Sequence, residues 1–256
     1  INCVNKHMRN RLYLLQIVLL LVFVSLTLIW QYWRTQDLIG LWVYDLRNEE
    51  AYIDSKAGID QVLQKLEKVS YEKLPDEYKA KTASNKDPYK GMLAKKTYYI
   101  IRGDHIYKKL IGDHRIRDFL PRDSFYKKHV HNLDPLNEIY LLLDPELLYK
   151  FLELKHSLKQ KGYDPEAYQL RSVYRHPLHN IEVGGASQSR HILGEALDIG
   201  VRDINQDGRS NQEDKKIVLD LLDKKIIGNE GGLGLYPNTM SVHFDVRGRR
   251  ARWNTY

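Results

Sequence analysis

The sequence predicts a mixed α+β fold in which a small antiparallel sheet is flanked by helices. Short apolar runs typical of strands occur at 98–101, 139–143, 168–174 and 242–246. Segments with apolar residues at helical spacing occur at 58–69, 146–162 and 213–225. About 225 residues follow the N-terminal apolar run, enough for one large domain or for one domain and a smaller one.

The best-defined predicted helix begins after the strand at 139–143. Asp144 is a preferred N-cap residue, and Pro145 suits the first helical position because its missing N–H is not needed there. Gly162 suits the C-terminal cap, where glycine adopts a left-handed conformation without strain. The segment between them is therefore predicted to be one helix.

Residues 12–30 form a nearly uninterrupted apolar run. As a helix these 19 residues would span about 28 Å, close to the hydrocarbon thickness of a bilayer. Arg9 and Arg11 precede the run and aromatic residues follow it, which predicts a cytoplasmic N-terminus. The alternative is a cleavable signal peptide, but residues 31–34 offer no small-x-small cleavage site.

This run divides the predicted organisation into three parts. Residues 1–33 are predicted to be a cytoplasmic stub and a single-pass anchor in the inner (cytoplasmic) membrane. Residues 34–137 are predicted to be an exported spacer or accessory region, to which no chemistry is assigned. Residues 138–256 carry the motifs described below and are predicted to lie in the periplasm or another extracytoplasmic space.

Composition narrows the classes of function. The single cysteine, Cys3, excludes an internal disulfide framework and a cysteine-rich zinc site, so any metal ligands are histidines and carboxylates. The net charge is +7, but the 40 basic residues are mixed with 33 acidic ones and form no basic stripe. We therefore expect a solvated basic surface and no nucleic-acid partner.

Three residues have the chemistry of a metal site. His191 and Asp198 stand seven positions apart in SRHILGEALDIG, and His243 lies in SVHFDVR. Two imidazoles and one carboxylate are a common ligand set of catalytic zinc, in which a fourth position is open to water. Gly194 and Ala196 keep the segment between the first two ligands slim.

The residues around these ligands resemble the M15 peptidases, the family of zinc D-Ala-D-Ala carboxypeptidases and murein endopeptidases, and most closely its branch with a C-terminal H-x-D. The similar stretches are SVYRHPLHNIEVGGASQSRHILGEALDIGV and GGLGLYPNTMSVHFDVRGRRARW, within about residues 138–253. The shared pattern is S-x-Y-R, N, G-G, S-x-H-x-x-G-x-A-x-D, G-x-G-x-Y-P, V-H-x-D and R-x-x-R-W.

The resemblance implies a zinc hydrolase fold and roles for individual residues. His191, Asp198 and His243 would bind zinc, and Arg175 would polarise the scissile carbonyl and stabilise the oxyanion. Ser189 and Tyr236 are candidates for substrate contact, Ser189 alternatively for fixing the local turn. Asn180, Gly184 and Gly185 would shape loops around the cleft.

The general base is not assigned by the motif, because Met240 stands where many family members carry an acid, three residues before the last ligand. Asp245 shares a strand face with His243, so it is the first candidate for the base; it could equally orient that histidine. Glu195 is the second candidate.

A second metal site is predicted between the zinc ligands. Residues 203–214 read D-x-N-x-D-G-x-x-N-x-x-D, the ligand spacing of an EF-hand-type calcium loop. The predicted ligands are Asp203, Asn205, Asp207, the carbonyl of Arg209, Asn211 and Asp214. The calcium would be structural, and the alternative is a polar turn that caps the next helix.

Together these features predict a membrane-anchored extracytoplasmic zinc peptidase that hydrolyses peptide bonds of peptidoglycan. The alternative is a non-catalytic peptidoglycan-binding or scaffold protein that retains the peptidase fold. A calcium-dependent adhesion module is a third hypothesis. The oligomeric state is left open.

Overall fold

The computed structural model describes the backbone of residues 2–123, 126 and 138–254. It describes the side chains of the same residues except 2–12 and 29–38. Residues 124, 125 and 127–137 of the predicted accessory region thus lie outside the described residues. The chain divides into two compact units, residues 1–49 and 50–256. The domain boundaries predicted from the sequence stay predictions.

The first unit is dominated by a single helix, α1 (Asn2–Arg47), which contains the predicted anchor. Among the residues that the structure describes, no helix is long and apolar enough to cross a membrane. The predicted transmembrane helix is therefore without support here.

The first part of the second unit contains a three-stranded antiparallel sheet, ordered β1-β2-β5, and a hairpin, β3-β4. Its elements are α2 (Lys56–Gln64), β1 (Lys68–Ser70), α3 (Lys90–Leu93), β2 (Thr97–Arg102), β3 (Lys109–Ile111), β4 (His114–Arg115) and β5 (Glu138–Leu141). The helix predicted over 58–69 ends earlier, because its last residues pair with β2 instead, Val69 opposite Tyr98. Non-local strand pairing outweighs helical spacing there.

The second part is built around a five-stranded sheet, ordered β10-β8-β9-β7-β6. Its elements are α4 (Pro145–Gln160), β6 (Tyr168–Ser172), α5 (Pro177–Glu182), β7 (Ala196–Val201), α6 (Gln212–Leu221), β8 (Gly232–Gly234), β9 (Ser241–Asp245) and β10 (Ala251–Trp253). A π-helical turn, Leu222–Ile226, continues α6. The α+β class, with small antiparallel sheets and flanking helices, is confirmed; the parallel β8–β10 pair at the edge was not predicted.

The caps of α4 form as the sequence indicates. The Asp144 carboxylate accepts the backbone N–H of Glu146 at 2.9 Å, and Pro145 occupies the first turn. Gly162 follows the helix with φ of +77°. The leucines and Phe151 at helical spacing are buried, so this helix covers the core of the second unit.

Tyrosine rings connect the two parts of the second unit. The ring of Tyr174, two residues after the end of β6, lies edge-on to those of Tyr98 and Tyr126, with 6.0 Å between centroids in both pairs. Tyr78 packs in the same way against Tyr140 at 4.6 Å. Such edge-to-face pairs add to the stabilisation from area burial. Since Tyr174 precedes Arg175, this cluster supports the backbone that leads into the functional site.

Candidate metal centre

Two antiparallel strands and one short turn bring the three predicted ligands together. In the register of β7 and β9, Asp198 lies directly opposite His243. His191 comes from a 3₁₀ turn, Arg190–Leu193, that ends just before β7. Gly194 closes this turn with φ of +67°, and a Cβ there would lie 2.4 Å from the carbonyl oxygen of Leu142. Only glycine satisfies both constraints.

The ligand atoms converge. His191 Nε2 lies 3.2 Å from His243 Nδ1 and 3.2 Å from Asp198 Oδ2. His243 Nδ1 lies 2.8 Å from Asp198 Oδ1. Within the described parts of the chain, this is the one group of three or more histidine, cysteine or acidic side chains whose ligand atoms all lie within 4.8 Å of one another.

These separations fit zinc. Bonds of about 2.0–2.1 Å in a tetrahedral site place neighbouring donor atoms roughly 3.3 Å apart. The observed separations of 2.8 to 3.2 Å are close to this value. Three protein ligands leave a fourth position open, as in catalytic rather than structural zinc sites.

The proton positions on the two imidazoles also point to a cation. His191 Nδ1 lies 2.6 Å from the carbonyl oxygen of Val173, so this nitrogen carries the proton and donates it. His243 Nε2 donates to Asp245 Oδ2 at 3.1 Å. In neutral rings the facing nitrogens then have only lone pairs, directed at each other and at Asp198. A metal ion held by these three groups would relieve the resulting repulsion.

The electrostatics of the cluster are consistent with this arrangement. Burial by itself raises the pKa of Asp198, but the two histidines outweigh burial and hold that pKa well below its usual range. Burial lowers the pKa of His243, whereas its hydrogen bonds to Asp198 and Asp245 raise it, and the net direction is upward. The site therefore favours positive charge beside an ionised Asp198.

Asp245 is held in place from several sides. Its carboxylate accepts hydrogen bonds from Arg247 Nε at 2.7 Å and Arg247 Nη2 at 2.6 Å, and from the backbone N–H of Gly232 at 3.0 Å. A Cβ at Gly232 would lie 2.2 Å from Asp245 Oδ2. Despite burial, which raises it, the pKa of Asp245 is low because His243 and Arg247 stabilise the ionised form.

These contacts favour the orienting role of Asp245 over that of general base. A carboxylate of low pKa that already accepts hydrogen bonds from an arginine and a histidine is a poor proton acceptor. Its bond to His243 Nε2 instead fixes the ring and leaves Nδ1 for the metal, as carboxylates behind zinc ligands do.

Glu195, the second candidate base, is also engaged. Its Oε1 accepts a hydrogen bond from Lys96 Nζ at 2.7 Å, and its Oε2 accepts one from Arg190 Nη1 at 3.0 Å. Lys96 lies in the predicted accessory region, just before β2. Glu195 thus ties that region to the segment between the first two ligands, and it is not part of the ligand cluster.

Arg175 lies at the metal centre. Its Nη2 is 3.9 Å from Asp198 Oδ2, and its Nη1 donates to Asn180 Oδ1 at 3.3 Å. Asn180 is completely buried, and its amide nitrogen donates to the carbonyls of Gly185 and Ala186. Asn180 therefore holds the loop and the guanidinium together, in keeping with the loop-shaping role that the resemblance implies.

The two predicted substrate contacts occupy different positions. Ser189 precedes the 3₁₀ turn, is partly exposed, and makes no capping hydrogen bond through its side chain. Tyr236 is buried with φ of +36°, a strained value for an aromatic residue. Buried Lys215 donates to the carbonyls of Tyr236 and Thr239 and so holds this turn. Contact of Ser189 and Tyr236 with substrate stays a prediction.

Calcium in the 203–214 loop is not supported. Among the described residues, the carboxylates of this loop form no group with converging ligand atoms. The buried carboxylate of Asp214 accepts the backbone N–H groups of Ile204, Asn205 and Asn211 at 2.8 to 3.1 Å.

The other loop side chains are used similarly, with Asp203 accepting from Asp207 and Gly208, and Asn211 capping α6. Asp207 itself accepts the backbone N–H of Arg209. The loop has the structure of the alternative stated for it, a polar turn that caps the next helix.

Several supporting residues were not assigned from the sequence. Trp253 of β10 lies against His243, with 5.1 Å between ring centroids, and Arg247 lies over Trp253. The alternation of His243, Asp245 and Arg247 along one strand face was the available signal for Arg247. No sequence signal connected Lys96 with Glu195, because 99 positions separate them.

The fold and the cluster define a class: an α+β domain with an open His–Asp–His site that fits zinc. A known family contains a similar sequence. Residues 146–245, less than half of the chain, match the family model described as Peptidase M15, and all three ligand residues lie within the match. This confirms the resemblance to the M15 peptidases. No curated protein and no solved structure gives a significant match.

Proposed function

We propose that this protein is a zinc metallopeptidase that hydrolyses peptide bonds of peptidoglycan, as a D-Ala-D-Ala carboxypeptidase or as a cross-link endopeptidase. The observation that carries the proposal is the convergence of His191, Asp198 and His243 at zinc-like separations inside the region that matches the peptidase family. The peptidoglycan substrate follows from the family resemblance.

The residues present suit peptide hydrolysis. His191 Nε2, His243 Nδ1 and Asp198 would hold zinc, which when bound supplies a Lewis acid and an activated water. Asp245 keeps His243 in the required tautomer and orientation. Arg175, 3.9 Å from Asp198, presents a cation beside the metal centre, where it would stabilise negative charge that develops on the scissile carbonyl.

Proton transfer requires a general base, and neither of the two predicted candidates, Asp245 and Glu195, has a free carboxylate. Asp245 is bound by Arg247 and His243, and Glu195 by Lys96 and Arg190. This observation favours the second candidate function, a peptidoglycan-binding or scaffold protein that keeps the fold and the metal. The two functions differ in turnover, which an assay measures directly.

We also propose that residues 12–30 anchor the protein in the cytoplasmic membrane, with the peptidase domain in the periplasm or another extracytoplasmic space. Support comes from the length of the apolar run, the arginines before it and the aromatic residues after it. The large apolar side chains of residues 13–28, such as Leu14 and Phe23, are exposed in the isolated chain. Membrane fractionation and protease protection of the full-length chain test this part separately.

The first experiment is elemental analysis of the full-length protein purified without chelators, followed by digestion of purified sacculi. We expect about one zinc per chain and release of peptide fragments. His191→Ala should remove both zinc and hydrolysis. The control is His156→Ala, because His156 is an exposed histidine paired with Asp54 and is not part of the cluster.

Three outcomes separate the hypotheses. The peptidase is supported if the parent and the His156→Ala control contain zinc and hydrolyse sacculi, whereas the His191→Ala variant does neither. A zinc-containing parent that is inert but sediments with sacculi supports the binding protein. Full activity of the His191→Ala variant contradicts the metal assignment altogether.

A further inference from the structure

Trp253 lies against a metal ligand, although no role was assigned to it from the sequence. It belongs to β10, which pairs in parallel with β8 so that Trp253 lies opposite Gly234. In the antiparallel pair of β8 and β9, Gly234 also lies opposite His243. Because paired residues project to the same face of a sheet, Trp253 and His243 lie on either side of Gly234, on one face.

Gly234 provides the space for this contact. A Cβ at position 234 would lie 3.0 Å from the indole nitrogen of Trp253 and 2.8 Å from the ring of Tyr236. Without a side chain between them, the rings of Trp253 and His243 approach to 5.1 Å between centroids, with 58° between the ring planes. The indole therefore packs against a residue that is predicted to bind the metal.

Four side chains make a closed ring of contacts around this ligand. His243 Nε2 donates to Asp245 Oδ2 at 3.1 Å, and Asp245 Oδ1 accepts from Arg247 Nε at 2.7 Å. The Arg247 guanidinium lies over the indole of Trp253, 5.0 Å from the ring centroid. The contact of the indole with His243 completes the ring. These four residues form the His243 clamp.

The His243 clamp constrains the imidazole in two ways. The hydrogen bond from Nε2 to Asp245 holds one edge of the imidazole, but a single hydrogen bond leaves the ring free to tilt about it. Contact with the indole of Trp253 opposes that tilt. Metal binding needs both constraints, because the lone pair of Nδ1 lies in the plane of the imidazole and must point at the ion.

Trp253 is itself fixed to the sheet. The backbone N–H of Leu235 donates to the carbonyl of Trp253 at 2.8 Å, and the backbone N–H of Ala251 donates to the carbonyl of Gly231 at 3.2 Å. The indole N–H of Trp253 donates to the Tyr236 hydroxyl at 3.3 Å. Both the backbone and the side chain of Trp253 are thus anchored, as a positioning residue requires.

We propose that Trp253 is a positioning residue of the metal centre: by closing the His243 clamp, it holds the imidazole of His243 in the orientation that binds zinc. Trp253 lies beyond residues 146–245, which match the family model, so the C-terminal strand supports the metal centre from outside the match. The inference rests on the metal ion of the proposed function and not on peptidoglycan as the substrate.

The test measures the zinc dissociation constant of the full-length chain by competition with a chromophoric chelator. Trp253→Ala removes the indole, and we expect it to weaken zinc binding roughly tenfold or more, as for other groups that orient a metal ligand. Trp253→Phe keeps an aromatic ring at this position and should restore most of the affinity. Trp253→Leu keeps apolar volume without an aromatic face; it should also weaken zinc binding, and it replaces the alanine variant if that variant does not fold.

Tyr149→Ala is the matched control. Lys56 lies over the ring of Tyr149 and its hydroxyl donates to Asp60, so this variant also loses a cation–π contact and a hydrogen bond, but Tyr149 is not part of the ligand cluster. It should lower the urea midpoint and leave zinc affinity unchanged. The visible absorption of the cobalt(II)-substituted protein is a second readout, because it depends on coordination geometry. Trp253→Ala should alter this spectrum, whereas Tyr149→Ala should not.

The outcomes separate the His243 clamp from the other proposals. Unchanged zinc affinity in Trp253→Ala, a loss that Tyr149→Ala shares, or a loss that phenylalanine does not reverse would overturn the positioning role and leave the metal centre. A parent protein that binds neither zinc nor cobalt(II) would contradict the metal centre, and the clamp with it. Turnover does not enter these measurements, so a failure to digest sacculi contradicts the peptidase and leaves the clamp standing.

Discussion

Substitution of Asp245 by asparagine separates its two candidate roles. The side chain is fully buried and accepts hydrogen bonds from Arg247, Gly232 and His243. Asparagine keeps the volume but removes the negative charge. In either orientation its NH2 group faces a donor of Arg247, and in one of the two it also faces the proton of His243 Nε2.

The expected magnitudes follow from these contacts. Removing one partner of a buried ion pair costs about 3–5 kcal/mol of unfolding free energy, and the lower end applies because asparagine retains one acceptor. Loss of the group that orients His243 should weaken zinc binding about 10- to 100-fold, or about 1.4–2.8 kcal/mol. A general base, in contrast, would contribute about 10²- to 10⁴-fold to turnover.

The assay measures the zinc dissociation constant by competition with a chromophoric chelator, and kcat at saturating zinc. We expect the Asp245→Asn variant to bind zinc more weakly and to recover most of its turnover when zinc is in excess. Arg247→Met should weaken zinc binding in the same direction. Asp223→Asn is the control: it removes a carboxylate that pairs with Arg250 and Arg252, and it should leave zinc affinity unchanged.

Unchanged zinc affinity together with a kcat reduced about 100-fold or more would refute the reasoning. That result would show that Asp245 takes the proton from water, despite the hydrogen bonds it accepts. If the parent protein has no turnover, the measurement of zinc affinity still tests the orienting role.

Three further predictions concern stability, each measured by urea denaturation. Gly194→Ala should cost at least about 2 kcal/mol, from left-handed strain and from contact with the Leu142 carbonyl; a change below about 0.5 kcal/mol would contradict this. Asp214→Ala should cost about 3 kcal/mol or more, at about 1 kcal/mol or more for each of three backbone N–H groups. Added calcium should not move the midpoint of the parent; a calcium-dependent rise would restore the calcium site. Lys96→Met should cost about 1–3 kcal/mol by leaving the buried Glu195 one partner short, and no change would mean that the accessory region does not stabilise the metal loop.

Local sequence signals were sufficient for much of the fold. The Asp144–Pro145 cap, the buried stripe of α4 and the C-terminal glycine are decided by neighbouring residues, so they could be predicted directly. The helix over 58–69 was predicted too long because its last residues pair with β2, a contact distant in sequence. The residue pattern of a short segment does not show that the segment will pair with a strand distant in sequence.

The metal ligands were recognisable because their motif combines residue type with order along the chain. His243 and Asp245 share a strand face by simple alternation, so the proximity of the two side chains could be predicted without the fold. The spacing of acidic and amide residues over 203–214 is likewise a property of the sequence, and it led to the prediction of a calcium loop. Spacing alone does not specify whether carboxylates turn towards an ion or towards backbone N–H groups, and here Asp214 does the latter.

The role of each carboxylate, in contrast, depends on contacts that form only in the folded chain. Arg247 and Gly232 occupy the oxygens of Asp245, and Lys96 pairs with Glu195 across 99 positions of sequence. The accessory region, for which the sequence indicated no chemistry, supplies residues 118 and 120–123 to the wall of a cavity that Arg175 also lines. The physical reason is the same in each case: proton affinity and ligand preference depend on burial and on charged neighbours, and distant segments supply those neighbours only when the chain is folded.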